Sequence, residues 1–197
     1  MNTSSANGGA NPPPGDNAPG KSPLIHRLSL ALYPDQVLRT VCEPVDAFDS
    51  ALRDLADEML ALMQQHQGIG LAAPQVGLRH RLIVCGLEER LFALTNFEVK
   101  DASETRDFVE GCLSLPGVQV NVRRPERIRV TGFDVQGQRR SFGAVGLWAR
   151  VIQHELDHLN GVLFIDRMTS ATKEQLRTEL EMMQAETRTQ LQASKRQ

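Results

Sequence analysis

Two histidines four residues apart, His154 and His158, enclose a glutamate in the run Gln153-His154-Glu155-Leu156-Asp157-His158. A helix turns once in about 3.6 residues, so side chains at that spacing share one face and can point at one metal ion. Glu155, next to the first ligand, can then reach a metal-bound water and accept its proton. Leu147 and Val151 continue the same row at spacings of four and three, so both histidines lie on the face that turns inward. Core histidines satisfied by backbone carbonyls are the plainer alternative, and the pairing with an adjacent glutamate argues against it.

A catalytic metal takes three protein ligands and keeps one position open for water. Sequence alone leaves the third ligand open. One peptidase pattern would put a histidine at position 164, where the chain has Phe164, although Gly161 fits that pattern. A downstream glutamate is another solution, and Glu174, Glu179 and Glu181 lie in the right stretch. The competing candidate is Cys112, upstream in Glu110-Gly111-Cys112-Leu113-Ser114-Leu115-Pro116. Gly111 lets the backbone approach closely and Pro116 ends the piece as an extended segment. A Cys-His-His set leaves one net positive charge on a divalent ion, and its thiolate suits iron or zinc better than magnesium.

These residues must be positioned by a chain of 197 residues, 41% hydrophobic and 23% charged, which fits one globular domain with a real core. Net charge is −2 and the pI is about 6.2, so no whole-chain field steers it toward nucleic acid or membrane. Three cysteines far apart (Cys42, Cys85 and Cys112) suit a reducing cytoplasm better than a disulfide framework. Residues 1–23 are Asn, Pro, Gly, Ser and Ala with almost no apolar bulk, and are expected to form a disordered N-terminal tail. They lack the layout of a signal or transit peptide, and no apolar run approaches the roughly 20 residues of a membrane span.

The ordered domain is expected to begin near Leu24 and to run to about residue 170. Phe48, Leu52, Leu55, Met59 and Leu62 form a helix stripe, capped by Asp46 or Asp49 and stopped by Gly68. Arg81 to Cys85 and Leu91 to Thr95 read as a strand pair, and Val118-Gln119-Val120-Asn121-Val122 alternates with period two. Ile128, Val130 and Val135 are assigned to further strands, with a hairpin turn at Gln136-Gly137. Gly161 stops the histidine helix. A last helix covers 171–197, with a stripe of Leu176, Leu180 and Met183 that thins toward a frayed, solvated end. Short strands followed by a central and a terminal helix predict an α+β fold, antiparallel β-sheets packed around a central metal-binding helix.

Gly68-Ile69-Gly70-Leu71-Ala72-Ala73-Pro74-Gln75, Glu110-Gly111-Cys112-Leu113-Ser114 and Gln153-His154-Glu155-Leu156-Asp157-His158 resemble the three signature motifs of peptide deformylases, in the family's order. The likeness extends to Tyr33-Pro34-Asp35, Val37-Leu38-Arg39 and Asn160-Gly161-Val162-Leu163-Phe164-Ile165-Asp166-Arg167, and covers roughly residues 24–170. It implies a metal-dependent hydrolase that removes the N-formyl group from the initiator methionine of nascent polypeptides and releases formate. It implies Cys112, His154 and His158 as metal ligands, ferrous iron as the usual metal, and zinc, nickel or cobalt as able to substitute. The expected partners are nascent formyl-methionyl polypeptides and the ribosome near its exit tunnel, with no nucleic-acid site, no membrane, and a cytoplasmic monomer.

Formyl hydrolysis needs a nucleophile at neutral pH, charge stabilisation, and a proton for the leaving amine. A metal lowers the pKa of its water, and Glu155 serves as general base and then acid. The resemblance makes the Gln75 side-chain amide and the Leu113 backbone N–H the two donors to the developing oxyanion. Gly68 and Gly70 leave backbone exposed around Ile69, where a peptide could add as an extended strand. Ile69, Leu147 and Val151 are candidate walls of a methionine pocket and equally core residues. Glu110 and Asp157 are candidates to hold the second nitrogens of the histidines. Cys42, Cys85 and Trp148 read as packing residues. Asp35-Gln36 and Asn96-Phe97 depart from the Asp-Pro and Asn-Pro of many members, at positions expected in loops or strand edges. The other readings are a zinc endopeptidase, a cysteine hydrolase pairing Cys112 with a histidine, and a structural metal module. The last lacks a fourth ligand, because His26, His66 and His80 are isolated.

Overall fold

In the computed structural model the described residues are 28–87 and 89–194. The expected tail over 1–23 and the domain start near Leu24 lie outside them. Asp49, not Asp46, caps the first helix, α1 (Ser50–Gln65), by accepting the Leu52 N–H at 3.0 Å. Leu52, Met59 and Leu62 are buried and Leu55 is half-buried, while Phe48 precedes the helix and its ring lies 5.9 Å from Phe133. The end of α1 differs from expectation. It stops at Gln65, and the left-handed residue that turns the chain is Gln67, at φ 56°. Gly68 leaves room for a neighbour instead, since a Cβ there would lie 2.8 Å from Leu113 Cδ1 and that side chain would have to shift.

Five strands form one antiparallel sheet whose spatial order follows the chain: β1 (Gly70–Ala72), β2 (Leu82–Leu87), β3 (Arg90–Cys112), β4 (Leu115–Phe133) and β5 (Arg139–Val145). The expected α+β class holds, with the strands joined in one sheet. β3 and β4 are much longer than the common strand of about 5–6 residues. Their pairing shifts register between Thr95 and Glu98, Lys100 and Ser103, and Glu110 and Cys112, and such irregularities bend and twist a strand. Asn96 stands at the first shift with φ 47°, its amide exchanging two 2.8 Å bonds with the Val45 backbone. Phe97, expected in a loop or at an edge, is buried over Gly132, where a Cβ would lie 2.5 Å from Phe97 Cβ.

Val118, Val120 and Val122 are buried in alternation with exposed Gln119 and Asn121, as period two requires. Ile128 and Val130 belong to this same β4, not to separate strands. Val135 sits in the β4–β5 turn instead of a strand. The Asp134 carboxylate organises that turn by accepting the Gln136 and Gln138 N–H groups at 2.9 and 2.8 Å.

The second helix, α2 (Leu147–Leu159), packs against β1, β2, β4 and β5. Ala149, Ile152 and Leu159 enter a core with Ile83, Cys85, Leu94 and Val130. Trp148 lies 5.2 Å from Phe92, and Cys42 and Cys85 are both buried, in keeping with packing roles. Gly161 ends α2 at φ 69°, with Gly161 N–H donating to His158 O and Val162 N–H to Asp157 O. The third helix, α3 (Ser170–Ser194), sets Leu176, Leu180 and Met183 against Leu115, Val118 and Leu163. The expected solvation of its last two turns concerns side chains that lie, for the most part, outside the described residues. Among the described residues no helix is long and apolar enough to cross a membrane.

Gly161 is fixed twice over, by its positive φ and by the Arg39 carbonyl oxygen 2.6 Å from where a Cβ would stand. Gly161→Ala should cost about 1–3 kcal/mol from backbone strain alone. Urea unfolding should show a lower midpoint at unchanged slope. A variant as stable as the wild type would show that the turn tolerates a side chain.

Candidate metal centre

α2 carries His154 and His158, and the end of β3 carries Cys112, so a helix period and a strand pairing meet at one point. Cys112 pairs with Leu115 across the tight turn Leu113-Ser114, which turns the thiol toward α2. Its Sγ lies 3.3 Å from His158 Nε2, and the two imidazole centroids are 5.0 Å apart. The three donor atoms lie within 4.8 Å of one another, with both histidines buried. One thiolate and two imidazoles converging on a buried point fit a divalent transition metal. The rival ligands are elsewhere: Glu174 and Glu181 reach toward Arg177 on the exposed face of α3, and Glu179 is exposed there too.

Glu110 orients the first histidine. Its Oε2 lies 3.0 Å from His154 Nδ1, which leaves Nε2 for the metal. The same carboxylate takes a two-bond fork from Arg124, at 2.6 and 2.9 Å, and a third bond from Arg150 at 2.7 Å. Burial opposes its charge, but the hydrogen bonds and charges of His154 and Arg124 prevail and lower its pKa to about 2. Asp157 does not hold a histidine. It accepts from Arg124 Nη1 at 2.7 Å and from Arg167, and so joins α2 to β4 and to the chain beyond the helix. The His158 Nδ1 is buried without a protein partner. Burial works against charge on both rings. Hydrogen bonds to Cys112 and Glu110 nevertheless push His154 up to about 10, while burial and the neighbouring His154 hold His158 well below its ordinary range.

Glu155 is only 3% exposed, and its Oε2 has no partner. Burial outweighs the pull of His154 and Arg124 and raises its carboxyl to about 7. Gly70 makes room for it, since a Cβ at that position would fall 2.3 Å from Glu155 Oε1 and 2.8 Å from Val151 Cγ1. Gln75 lies in a short 3-10 turn, Ala73–Val76. The Ala72 N–H fixes its Oε1 at 2.8 Å, so Nε2 is turned to Cys112 Sγ at 3.4 Å and Ser114 Oγ at 3.3 Å.

A cleft of about 860 Å³ opens onto this group. Its lining includes every residue assigned to substrate from sequence: Gly68, Ile69, Gly70, Leu147 and Val151. Gln75, Cys112, Leu113, His154 and Glu155 also line it. Sequence reasoning missed Arg124, Arg150 and Phe108. Arg124 and Arg150 are buried, and Phe108 lies in the cleft wall beneath the Arg150 guanidinium, 5.2 Å from ring centroid to Cζ. One signal was available: Arg150 stands four residues before His154, on the face that had to turn inward.

Residues 28–174 match the family model described as polypeptide deformylase. Peptide deformylase 1B, chloroplastic/mitochondrial, of Arabidopsis thaliana is 41% identical over 163 residues, which are 80% of this chain and 60% of that protein. The peptide deformylase of Azotobacter vinelandii is 41% identical over 159 residues, 78% of this chain and 94% of its own length. Among solved structures, Arabidopsis thaliana peptide deformylase 1B in complex with an inhibitor superposes with a TM-score of 0.79 at 39% identity, covering 83% of this chain and 93% of that one.

The low pKa of Glu110 has a consequence for stability. A carboxyl lowered from 4.5 to about 2 contributes stability that is fully present above pH 4.5 and is lost as pH falls through 2. Over that interval the wild type should lose up to about 3 kcal/mol more than Glu110→Gln, which starts less stable at neutral pH. Urea midpoints against pH measure the difference. Parallel profiles would mean that His154 and Arg124 hold Glu110 no more tightly than water does.

Proposed function

The chain belongs to the polypeptide deformylase family, a family of metal-dependent hydrolases, and from that membership we propose that it removes the N-formyl group from the initiator methionine of nascent polypeptides. The observation that carries the reading is Glu155: a buried carboxylate with an unpartnered oxygen, beside a cysteine and two histidines whose donor atoms converge. The proposed metal is ferrous iron, with zinc, nickel or cobalt able to take its place, and Cys112, His154 and His158 would hold it. When bound, such an ion lowers the pKa of a water and polarises the formyl oxygen.

The chain's own groups supply the rest. Glu155 accepts a proton from the water that adds to the formyl carbon. It returns that proton to the amine nitrogen as the C–N bond breaks, so formate and a free N-terminus leave. A carboxyl raised to about 7 by burial suits both halves of that exchange at neutral pH. Gln75 Nε2, held by the Ala72 N–H behind it, and the Leu113 N–H are proposed to donate to the developing oxyanion. The peptide would lie as a strand along Gly68–Gly70, its methionine among Ile69, Leu147 and Val151. Main-chain pairing of this kind accepts varied downstream residues, as an enzyme acting on many nascent chains requires. We place the reaction in the cytoplasm, by a monomer working near the ribosomal exit tunnel. Three free cysteines, one of them needed as a thiolate, are consistent with a reducing compartment.

The thiol–imidazole approach of Cys112 and His158, at 3.3 Å, also suits a cysteine hydrolase, which would leave Glu155 idle. One experiment separates the two. Protein prepared without oxygen and loaded with ferrous iron should release formate from a formyl-Met tripeptide, and a chelator should abolish the release. Glu155→Ala at full metal content should lose at least about 10²-fold in kcat. Chelator-resistant turnover that survives in Glu155→Ala would replace this reading with the cysteine hydrolase. In the same assay Gln75→Ala should lose about 10²–10³-fold in kcat; an unchanged kcat would remove Gln75 from oxyanion stabilisation.

A further inference from the structure

Arg150 is a buried cation with an unusual set of attachments. It lies on α2 one turn before His154 and next to Val151, and it lines the cleft. Its Nη1 donates to Glu110 Oε1 at 2.7 Å and to Val122 O at 3.0 Å, and its Nη2 to Arg106 O at 2.9 Å. Its Cζ stands 5.2 Å from the centroid of the Phe108 ring, within the range of a cation–π contact. Arg106, Phe108 and Glu110 are alternate residues of β3, so their side chains share one face of the strand. One guanidinium therefore spans that stretch of β3 and reaches across to β4, where Val122 is the register partner of Phe108.

This stretch of β3 needs such a tie. β2 pairs with β3 only as far as Thr95, and residues 101–109 are exposed. Phe108 is itself 53% exposed at the cleft. The carboxylate at the end of the same stretch, Glu110, must hold His154 in one orientation. Arg124 contributes two of its hydrogen bonds and Arg150 a third from the same helix that carries the histidine.

We propose that Arg150 is a positioning residue serving two parts of the site at once: it fixes Glu110, and through it His154, and it holds the Phe108 wall of the substrate cleft in place. The kinetic half of this inference rests on the deformylase reading; the metal-binding half does not. The planar fork is what makes both roles possible, because a single ammonium can satisfy Glu110 but cannot reach Arg106 O as well. Lysine at this position should therefore separate the two roles, and methionine should lose both.

The test measures affinity for cobalt, the visible spectrum of the cobalt-loaded protein, and kcat and KM for a formyl-Met tripeptide, for the wild type, Arg150→Met, Arg150→Lys and Phe108→Ala. Circular dichroism first establishes that each is folded. Arg150→Met should bind cobalt about 10–100-fold more weakly, the usual effect of removing an outer partner of a ligand, with a shifted spectrum, lower kcat and higher KM. Arg150→Lys should recover most of the affinity and the spectrum while KM stays high. Phe108→Ala should raise KM with cobalt affinity and spectrum as in the wild type. A folded Arg150→Met with wild-type affinity, spectrum and kcat would overturn the proposal, as would an Arg150→Lys no better than Arg150→Met. If the wild type released no formate the deformylase reading would fail, and cobalt affinity and spectrum would still decide the role of Arg150.

Discussion

The carboxylate of Glu110 is the interaction on which the site depends. It is buried on β3 where that strand meets β4 and α2, and it takes partners from both: Arg124 from β4, Arg150 and His154 from α2. Breaking a buried ion pair by removing one member costs far more than an exposed pair is worth, because the remaining charge is left without water or partner. Arg124 extends the network to Asp157, and Asp157 to Arg167. The polar face of α2 is thus tied to the sheet by charge, while Ala149, Ile152 and Leu159 tie its other face by apolar packing. Neither attachment alone would fix both the rotation and the depth of the helix. Together they leave His154 one orientation.

Glu155 shows the opposite arrangement on the same helix. Glu110 is buried with a full set of donors and remains charged; Glu155 is buried with an oxygen left over, and its proton affinity rises toward neutrality. Two carboxylates in one site are thereby pushed to opposite ends of their range, as the orienting contact of Glu110 and the proton transfer proposed for Glu155 require. The space for Glu155 comes from Gly70, on a strand that is only three residues long. The first motif therefore contributes an absent side chain as much as it contributes Gln75.

Much of the site was legible before any fold was known. The histidine pair, the adjacent glutamate and the inward face of α2 follow from a period of 3.6 acting over a few residues, and that period does not depend on what the helix packs against. The alternation of Val118, Val120 and Val122 is equally local. What escaped was set by longer contacts. The positive φ at Gln67 sits where Gly68 was expected to stop α1. Val135 became a turn residue because Asp134 caps that turn, and Phe97 became core at a shift in register. Propensity reads such positions from their neighbours in the chain, and their conformation was decided by neighbours in space.

The same division separates ligands from their supports. By itself the sequence determined the chemistry on offer: two imidazoles and a carboxylate on one helical face, and a cysteine between a glycine and a proline. It left four carboxylates or thiols as rival third donors. Tertiary structure chose among them, because the β3–β4 turn carries Cys112 across 46 residues of chain to within 3.3 Å of His158, while α3 keeps its glutamates on an exposed face. It also decided that Glu110 and not Asp157 holds a histidine, and that Arg150 reaches both the strand and the cleft. Charges on separate elements acquire partners only when those elements pack, so pairing in the interior cannot be read from spacing along the chain.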